Sequence, residues 1–375
     1  MAKSVACPKI AFVSSHAALG GSERYLEFLM ERLGAPSAHT LVCLADGPFV
    51  ERMTSLRYSP DVLPTGPTAA AIIGGAWRLR RVLALARPDV IHANGVKAAL
   101  VAVLATVNSR IPVLWVKHDY SWDGWLTCLI ALRCTRVIGV SAAVVEHLAQ
   151  RFPDRVHVVR TALTIPEVDE GRAAAALDLA LGGWASGPVL ALVGRIHPVK
   201  GHLELIEIAA KLKQRLGNVK LAFIGTNDHS IPEYTAQIQA RSRQLEVEDT
   251  VCFLGHREDA LELVAACDAV IIPSGGHGRG TLQEGFGLVG VEAMAVGTPV
   301  VGYANGALPE ILGDCALLVP PGDRDALLEG ITRVIENEHF RQRLITCGRH
   351  RVASSFSAEA MLAAMRRHYN DSMSA

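Results

Sequence analysis

The sequence predicts an α/β protein built of two doubly wound, Rossmann-like domains. Three observations carry this expectation. The chain has 375 residues, beyond the size at which a single hydrophobic core usually keeps growing. Half of the residues are apolar but only 5% are aromatic, a balance that suits α/β architecture better than a β-sandwich or a disordered chain. Short apolar runs alternate with helical periods, stop, and then begin again, as parallel strands joined by crossover helices do.

The first series of strand-like runs is "KIAFVSS" (9–15), "HTLVCLA" (39–45), "PDVIHAN" (88–94), "IPVLWVKH" (111–118), "TRVIGVS" (135–141) and "RVHVVRT" (155–161). The second is "GPVLALVGR" (187–195), "VKLAFIG" (219–225), "TVCFLGH" (250–256), "DAVIIPS" (268–274), "TPVVGYA" (298–304) and "CALLVPP" (315–321). Between them, "IPEVDEGRAAAALDLALGGWASG" (165–187) loses the strand pattern and turns acidic, then rich in Ala and Gly. It reads as a linker or exposed hinge about which two domains close on a ligand. The expected units are therefore 1–165, 166–355 and a final helix at 356–375 that packs back on the first domain. The C-terminal segments are helical by period, and their charges suit surface packing.

Several classes are disfavoured. "MAKSVACPKIAFVSS" reaches a strand-like run within ten residues and lacks the long apolar region of a secretory signal. "LTCLIAL" (126–132) falls far short of the roughly 20 residues of a membrane span. A cytoplasmic chain without a span is expected. Eight cysteines (7, 43, 128, 134, 252, 267, 315, 347) include no CxxC pair and read as reduced core residues, with neither disulfides nor zinc.

The zero net charge hides an asymmetry. Residues 1–165 hold 18 Lys+Arg against 11 Asp+Glu, and the remainder holds 19 against 26, so the halves are +7 and −7. A positive first half suits an acidic ligand or an anionic membrane surface, and ordinary surface variation accounts for it equally well. In "WRLRRVLALA" (77–86) the arginines would face lipid while the apolar side packs inward. This is the basis for expecting peripheral contact with the inner membrane face. No nucleic-acid partner is expected.

Ligands of open α/β sheets lie beyond the carboxyl ends of the strands, so the turns there carry the functional reading. After the first strand, Gly20 and Gly21 precede Ser22 and Glu23 at a helix start, where a phosphate or sugar can approach backbone N–H groups. A tight turn with Ser22 as N-cap explains the same residues. The absence of GxGxxG and of a ribose-binding acid disfavours a nicotinamide cofactor. Further on, Arg195 leaves its strand and Lys200-Gly201 opens a helix. Two such cations suit a diphosphate, or form a solvated loop with chance charges. In "EGFG", Gly285 and Gly287 head a helix at 288–297 whose positive end favours anions. Glu284 can accept bonds from sugar hydroxyls, and Glu292 can reach a ribose diol. The plain alternative has Glu284 complementing the helix dipole and Glu292 facing water. His118, beside Asp119 at a strand end, is either a cleft residue or a structural histidine. Tyr120, Trp122 and Trp125 offer faces to a sugar or lipid, or serve as core anchors.

Taken together, "GGSE", "VKHD", "GVSAAVVEHL", "GRIHPVKG", "FLGH", "CDAVIIPS", "EGFGLVGVEAMAVGTPVV" and "NGALPEIL" resemble family 4 of the glycosyltransferases, retaining enzymes of the GT-B fold. The resemblance covers most of the chain. It implies two Rossmann-like domains facing across a cleft, with a nucleotide-sugar donor on the second and most of the acceptor site on the first. It further implies that Arg195 and Lys200 hold the diphosphate, and that Glu284 holds the donor sugar. Gly285, Phe286, Gly287 and Leu288 would line the sugar and phosphate, and Glu292 the ribose. His118 would sit beside the sugar near the reaction centre, Gly20 and Gly21 beneath the donor phosphates, and the base by the strand at 251–256. The chemistry so implied needs neither metal nor cofactor: the nucleotide-sugar is a substrate, a UDP-sugar ahead of a GDP-sugar, and the acceptor is a small molecule or glycolipid. The departing phosphate would help to deprotonate the acceptor hydroxyl. One departure is "GGHGRGTLQ" (275–283), longer than the family's common spacing, so donor preference does not transfer. A GT-B epimerase or phosphorylase and a non-catalytic nucleotide-sugar-binding protein would share the fold. No motif marks a phosphorylase cofactor lysine, and the intact Arg195, Lys200, Glu284 and Glu292 speak against a decayed site.

Overall fold

The structure is a computed structural model that describes residues 8–163, 167–183, 187–228, 231–275 and 283–374. Nearly all of the insertion noted at 275–283 lies outside these residues, as does Cys7. The chain divides into two compact units, one of residues 1–162 with 358–375 and one of residues 163–357.

Unit 1 runs β1 (Ile10–Ser14), α1 (Gly21–Leu33), β2 (Thr40–Cys43), α2 (Pro48–Ser55), β3 (Asp61–Val62), α3 (Ala69–Ala86) and β4 (Val90–Asn94). It continues with α4 (Val96–Ala105), β5 (Val113–Lys117), α5 (Trp125–Arg133), β6 (Arg136–Gly139), α6 (Ala142–Ala149) and β7 (Val156–Val158). Unit 2 begins with α7 (Glu170–Ala180), β8 (Val189–Val193), α8 (His202–Leu216), β9 (Lys220–Ile224), α9 (Glu233–Gln244), β10 (Val251–Gly255) and α10 (Ala260–Ala265). Then come β11 (Ala269–Ile272), α11 (Leu288–Val296), β12 (Val300–Tyr303), α12 (Leu308–Leu312), β13 (Leu317–Val319), α13 (Arg324–Glu336) and α14 (Glu338–Ser355). A last helix, α15 (Ala358–Ser374), belongs to unit 1.

Both sheets are wholly parallel, in the orders β3-β2-β1-β4-β5-β6-β7 and β10-β9-β8-β11-β12-β13. The order reverses between β1 and β4 in one sheet and between β8 and β11 in the other, opening a crevice at the carboxyl ends of those strands. Strands β1, β4 and β5 are buried at every position. Helices cover both faces, which is why these strands read as unbroken apolar runs. In unit 2, Phe223, Tyr303, Leu205 and Leu327 anchor one such layer.

Helix α15 completes the core of unit 1. Tyr369 is fully buried, with its hydroxyl 2.7 Å from His92 Nδ1. The Tyr25 hydroxyl donates to Met365 Sδ at 3.7 Å, and Ala162 N donates to Met361 Sδ at 3.1 Å.

Three expectations need correction. The sequence reading missed β3, a two-residue edge strand between Pro60 and Pro64, too short to carry an alternation. The expected linker at 165–187 contains α7, capped by the Asp169 carboxylate accepting from Arg172 N at 2.7 Å. This helix buries Ala173 and Leu177 and pairs Arg172 with Glu262 of α10. Much of the proposed hinge is therefore packed structure. Finally, Cys315 and Cys347 form a disulfide, against the expectation that all eight cysteines are reduced. They lie 32 residues apart, brought together where α14 packs on the turn at 313–315, and no local spacing announces such a pair.

Candidate functional site

In unit 2 the candidate residues gather at the β8–β11 crevice. The turn after β8 carries Arg195, a short 3-10 turn at Pro198–Lys200, and then Gly201 at the head of α8. Gly201 has φ +74°, and a Cβ there would stand 2.2 Å from the carbonyl oxygen of Pro273. Only glycine lets this turn lie directly against the end of β11. That close approach delivers Lys200 Nζ to within 2.5 Å of Glu284 Oε1.

The same carboxylate oxygen accepts from Ser274 Oγ at 2.8 Å, and the main chain of Glu284 is fixed by Ala307 N donating to its carbonyl at 2.8 Å. Burial alone would raise the Glu284 pKa. The Lys200 charge, together with the hydrogen bonds from Lys200 and Ser274, brings it below the usual carboxylate value. Arg195 is paired as well, its guanidinium 2.8 Å from Asp228 Oδ2. Its side chain is 71% exposed, against 30% for Lys200, so Lys200 is the better desolvated of the two cations.

Behind Glu284, Gly285 is half-buried and Phe286 is buried, its ring edge-on to Phe356 at 5.8 Å. Gly287 caps α11 in the left-handed region, φ +83°, and a Cβ there would meet Leu308 Cδ2 at 2.4 Å. Leu288 opens the helix, and Glu292 lies half-buried one turn further on. The expected succession of carboxylate, glycine turn and helix head is thus present.

In unit 1 the corresponding crevice lies between β1 and β4. Gly20, not Ser22, is the N-cap of α1, with an ordinary φ of −93°. The Glu23 carboxylate turns back to accept from Gly20 N at 3.1 Å and from Ser22 Oγ at 2.9 Å. Thus the Gly20 N–H that was expected to face a phosphate already serves a buried internal acid.

His118, half-buried after β5, has Nε2 2.6 Å from Asn94 Oδ1. The amide nitrogen of Asn94 donates to the carbonyl of Ser22 at 3.1 Å, which turns the amide oxygen toward the imidazole. An amide oxygen only accepts, so Nε2 carries the proton and Nδ1 keeps its lone pair. Burial pushes the His118 pKa down to about 4, with Asp119 opposing the shift and Lys117 adding to it. The ring is therefore neutral near neutral pH. The Tyr25 ring packs edge-on against it at 5.0 Å. Lys117, buried at the end of β5, pairs with Asp123 Oδ1 at 2.8 Å and bonds the Asp119 carbonyl, holding the loop that follows His118. Trp122 and Trp125 are exposed, so neither is a core anchor.

Sequence reading missed Asn94, Ser274 and Asp228. Each stands at or just beyond a strand end beside a chosen residue, and that position was the available signal. Among the described residues no group of three or more His, Cys, Asp or Glu could hold a metal ion, and no helix is long and apolar enough to cross a membrane.

Two sequence profiles match the chain: Glycosyltransferase Family 4 over residues 19–164, and Glycosyl transferases group 1 over residues 184–351. An MMP α-(1→4)-mannosyltransferase of Mycolicibacterium hassiacum is 30% identical over 62% of this chain and 53% of its own length. A GDP-mannose-dependent monoacylated α-(1-6)-phosphatidylinositol monomannoside mannosyltransferase of Corynebacterium glutamicum is 26% identical over 82% and 81%. The chain spans about half the length of the first curated relatives it matches. Among solved structures, Anabaena HepE in complex with UDP superimposes with a TM-score of 0.82 over 97% of this chain and all of that one, at 23% identity. The fold is that of the GT-B glycosyltransferases.

Proposed function

The chain belongs to glycosyltransferase family 4, and from that premise we propose that it is a retaining, metal-independent enzyme. It transfers a hexose from a nucleoside-diphosphate sugar to an acceptor hydroxyl. The observation that carries this reading is the convergence of Lys200, Ser274 and Glu284 at the β8–β11 crevice, directly before the glycine-capped head of α11.

Breaking the bond between sugar and diphosphate leaves growing negative charge on the departing oxygens, and fixed cations lower that barrier. In this reading Lys200 and Arg195 supply the cations, and the 285–288 backbone and the α11 dipole add to them. Glu284 accepts from the sugar hydroxyls and Glu292 from the ribose. Lys200 is held by Glu284 when no ligand is bound, so the arriving diphosphate competes for an ammonium already in place. In unit 1, the unprotonated Nδ1 of His118 offers an acceptor to a hydroxyl without adding charge.

UDP-sugars are the first donors to test and GDP-sugars the second. HepE was solved with UDP, while the Corynebacterium relative is named for GDP-mannose. The acceptor is a small molecule or glycolipid hydroxyl. The test incubates the chain with UDP-, GDP- and ADP-sugars, follows release of nucleoside diphosphate, and reads the anomeric configuration of the product by NMR. Release with one donor class and retained configuration is expected. An inverted product overturns the retaining assignment, and no release with any donor overturns the enzymatic one.

A further inference from the structure

In unit 2, α14 packs on α11 and on the turn at 313–315 that follows α12. Cys347 of α14 is bridged to Cys315 of that turn. Arg351, one helical turn after Cys347 and on the same side of α14, donates to the carbonyls of Glu310 and Ile311, at 2.6 Å each. The bridge and the guanidinium therefore grip one short segment, 310–315. The other end of α12 lies against the Glu284 turn. Ala307 N donates to the Glu284 carbonyl at 2.8 Å, and a Cβ on Gly306, φ +57°, would stand 2.3 Å from that same oxygen. Leu308 fills the space that a side chain at Gly287 would need, and the Asn305 amide donates to the Ser274 carbonyl at 3.0 Å. Helix α12 has only five residues, so a hold on its last residues is a hold on its first. Packed contacts thus run without a break from the bridge to Glu284.

The surroundings of the bridge favour exchange over permanence. Cys43, Cys128, Cys134, Cys252 and Cys267 carry free thiols, and Cys128 and Cys252 are only half-buried. One disulfide among reachable free thiols is the pattern of a reducing milieu, where a bridge that does form responds to redox state. The two sulfurs also differ in access. Cys315 is buried, whereas Cys347 is half-buried and opens onto a surface groove that it shares with Arg343, Thr346 and His350. An incoming thiolate can therefore reach Cys347, and the Arg343 cation favours the thiolate that exchange leaves there.

We propose that Cys315–Cys347 is a thiol–disulfide switch, opened by a dithiol reductant at Cys347, that sets the order of the Glu284–Gly287 turn. A thiolate of the reductant attacks Cys347 Sγ, the bridge breaks, and Cys315 leaves as a thiolate and takes up a proton. The second thiol of the reductant then attacks its own sulfur in the mixed disulfide and releases Cys347. Two electrons and two protons pass to the chain, and the reductant departs as a disulfide. With the bridge open, positions 32 residues apart are no longer tied, Arg351 alone holds the end of α12, and the Glu284 turn loses part of its support. Only the effect on donor affinity rests on the sugar-transfer reading.

The test compares the full chain oxidised, reduced with dithiothreitol, and as Cys347→Ser. Thiol labelling read by mass spectrometry should show Cys315 and Cys347 becoming free together under native conditions. Hydrogen exchange at residues 284–290 and 305–316 is expected to run roughly tenfold faster in the reduced chain and in the variant, with β4 and β5 of unit 1 unchanged. Affinity for UDP, GDP or ADP, whichever binds by calorimetry, should fall roughly fivefold on reduction. The thermal midpoint should fall by roughly 5–10 °C. A mere staple would lower the midpoint as well, so the exchange at 284–290 decides. Equal exchange there in the oxidised and reduced chains overturns the proposal. So does a bridge that dithiothreitol opens only in denaturant, or a Cys347→Ser chain that still responds to dithiothreitol, which would assign the effect to another thiol. An oxidised chain that binds none of the three diphosphates overturns the donor reading instead, and the exchange rates still decide the switch.

Discussion

At the β8–β11 crevice of unit 2, each of two cations is held by a carboxylate, Lys200 by Glu284 and Arg195 by Asp228. At the β1–β4 crevice of unit 1, the corresponding place holds an amide and a neutral imidazole, joined by Asn94 Oδ1 and His118 Nε2. The switch-point topology is shared and the electrostatics differ. In the function proposed above, one crevice holds cations that a phosphate takes over from their carboxylates. The other presents a hydrogen-bond acceptor whose protonation hardly changes near neutral pH. The doubly wound sheet therefore sets where a ligand can sit, and the few side chains at the strand ends set what it can be.

The sharpest way to break this contrast is to remove the stored charge. Lys200→Ala is expected to lower kcat for nucleoside diphosphate release roughly 100- to 1000-fold, the cost of losing one preorganised donor to a developing anion. Arg195→Ala should cost roughly tenfold, since its more exposed side chain is better screened by water. Steady-state kinetics on both variants checks the order, and a Lys200→Ala enzyme near the wild-type rate would remove Lys200 from the mechanism.

The glycines sharpen the comparison in stability. Gly287→Ala forces a side chain into φ +83° and against Leu308, and is expected to destabilise the fold by about 2 kcal/mol. Gly20→Ala has an ordinary φ and meets only the end of the Glu23 side chain, so a loss of roughly 0.5 kcal/mol is expected. Urea unfolding of the two variants measures the gap. Equal losses would mean that the α11 head is not the more constrained of the two turns.

The neutral crevice is tested by charging it. Asn94→Asp places a carboxylate against the Nε2 proton of His118 and raises the imidazole pKa toward neutrality. The variant should match wild type near about pH 8 and fall several-fold behind it near about pH 6. Nitrogen NMR of the imidazole reports the tautomer independently of the rate, and a wild-type ring protonated at Nδ1 would refute the positioning assigned to Asn94. Stability gives the sign of the wild-type shift. The unfolded histidine takes up its proton near 6.5 and the folded one only at about 4. Between those values the unfolded chain binds more protons, and stability falls as pH falls. Urea midpoints across that range should show the decline, and His118→Asn should make it shallower.

The smallest effect expected is from chelation. With Lys200, Arg195 and the α11 head supplying the positive charge, EDTA should leave the rate nearly unchanged. Abolished activity restored by magnesium would count against the mechanism.

Much of the fold was legible because parallel strands covered on both faces must be apolar at every position, as in "IAFVS" and "VLWVK". Strand β3 offered only two residues between prolines. Helix α7 was hidden by its Ala-rich composition and the glycines after it. Arg195, Lys200 and Glu284 stood out because charge beside glycine at a strand end is unusual. Asn94 and Ser274 did not, because an amide or hydroxyl reveals its purpose only when its partner is seen, 24 residues on for Asn94 and His118. The Cys315–Cys347 bridge was missed for a related reason, because a disulfide depends on tertiary proximity.

The placement of α15 in unit 1 bears on the order in which the chain acquires its shape on the ribosome. Unit 2 is one continuous stretch, 163–357, and has all its parts once that stretch has emerged. Most of unit 1 is translated before unit 2, yet Tyr369, Met365 and Met361, which close over His92, Tyr25 and Ala162, are made after it. The usual rule that the N-terminal domain folds first during synthesis is therefore inverted for the final step. A nascent chain waits with the polar edge of His92 uncovered, and a helix translated only after the whole of unit 2 seals unit 1.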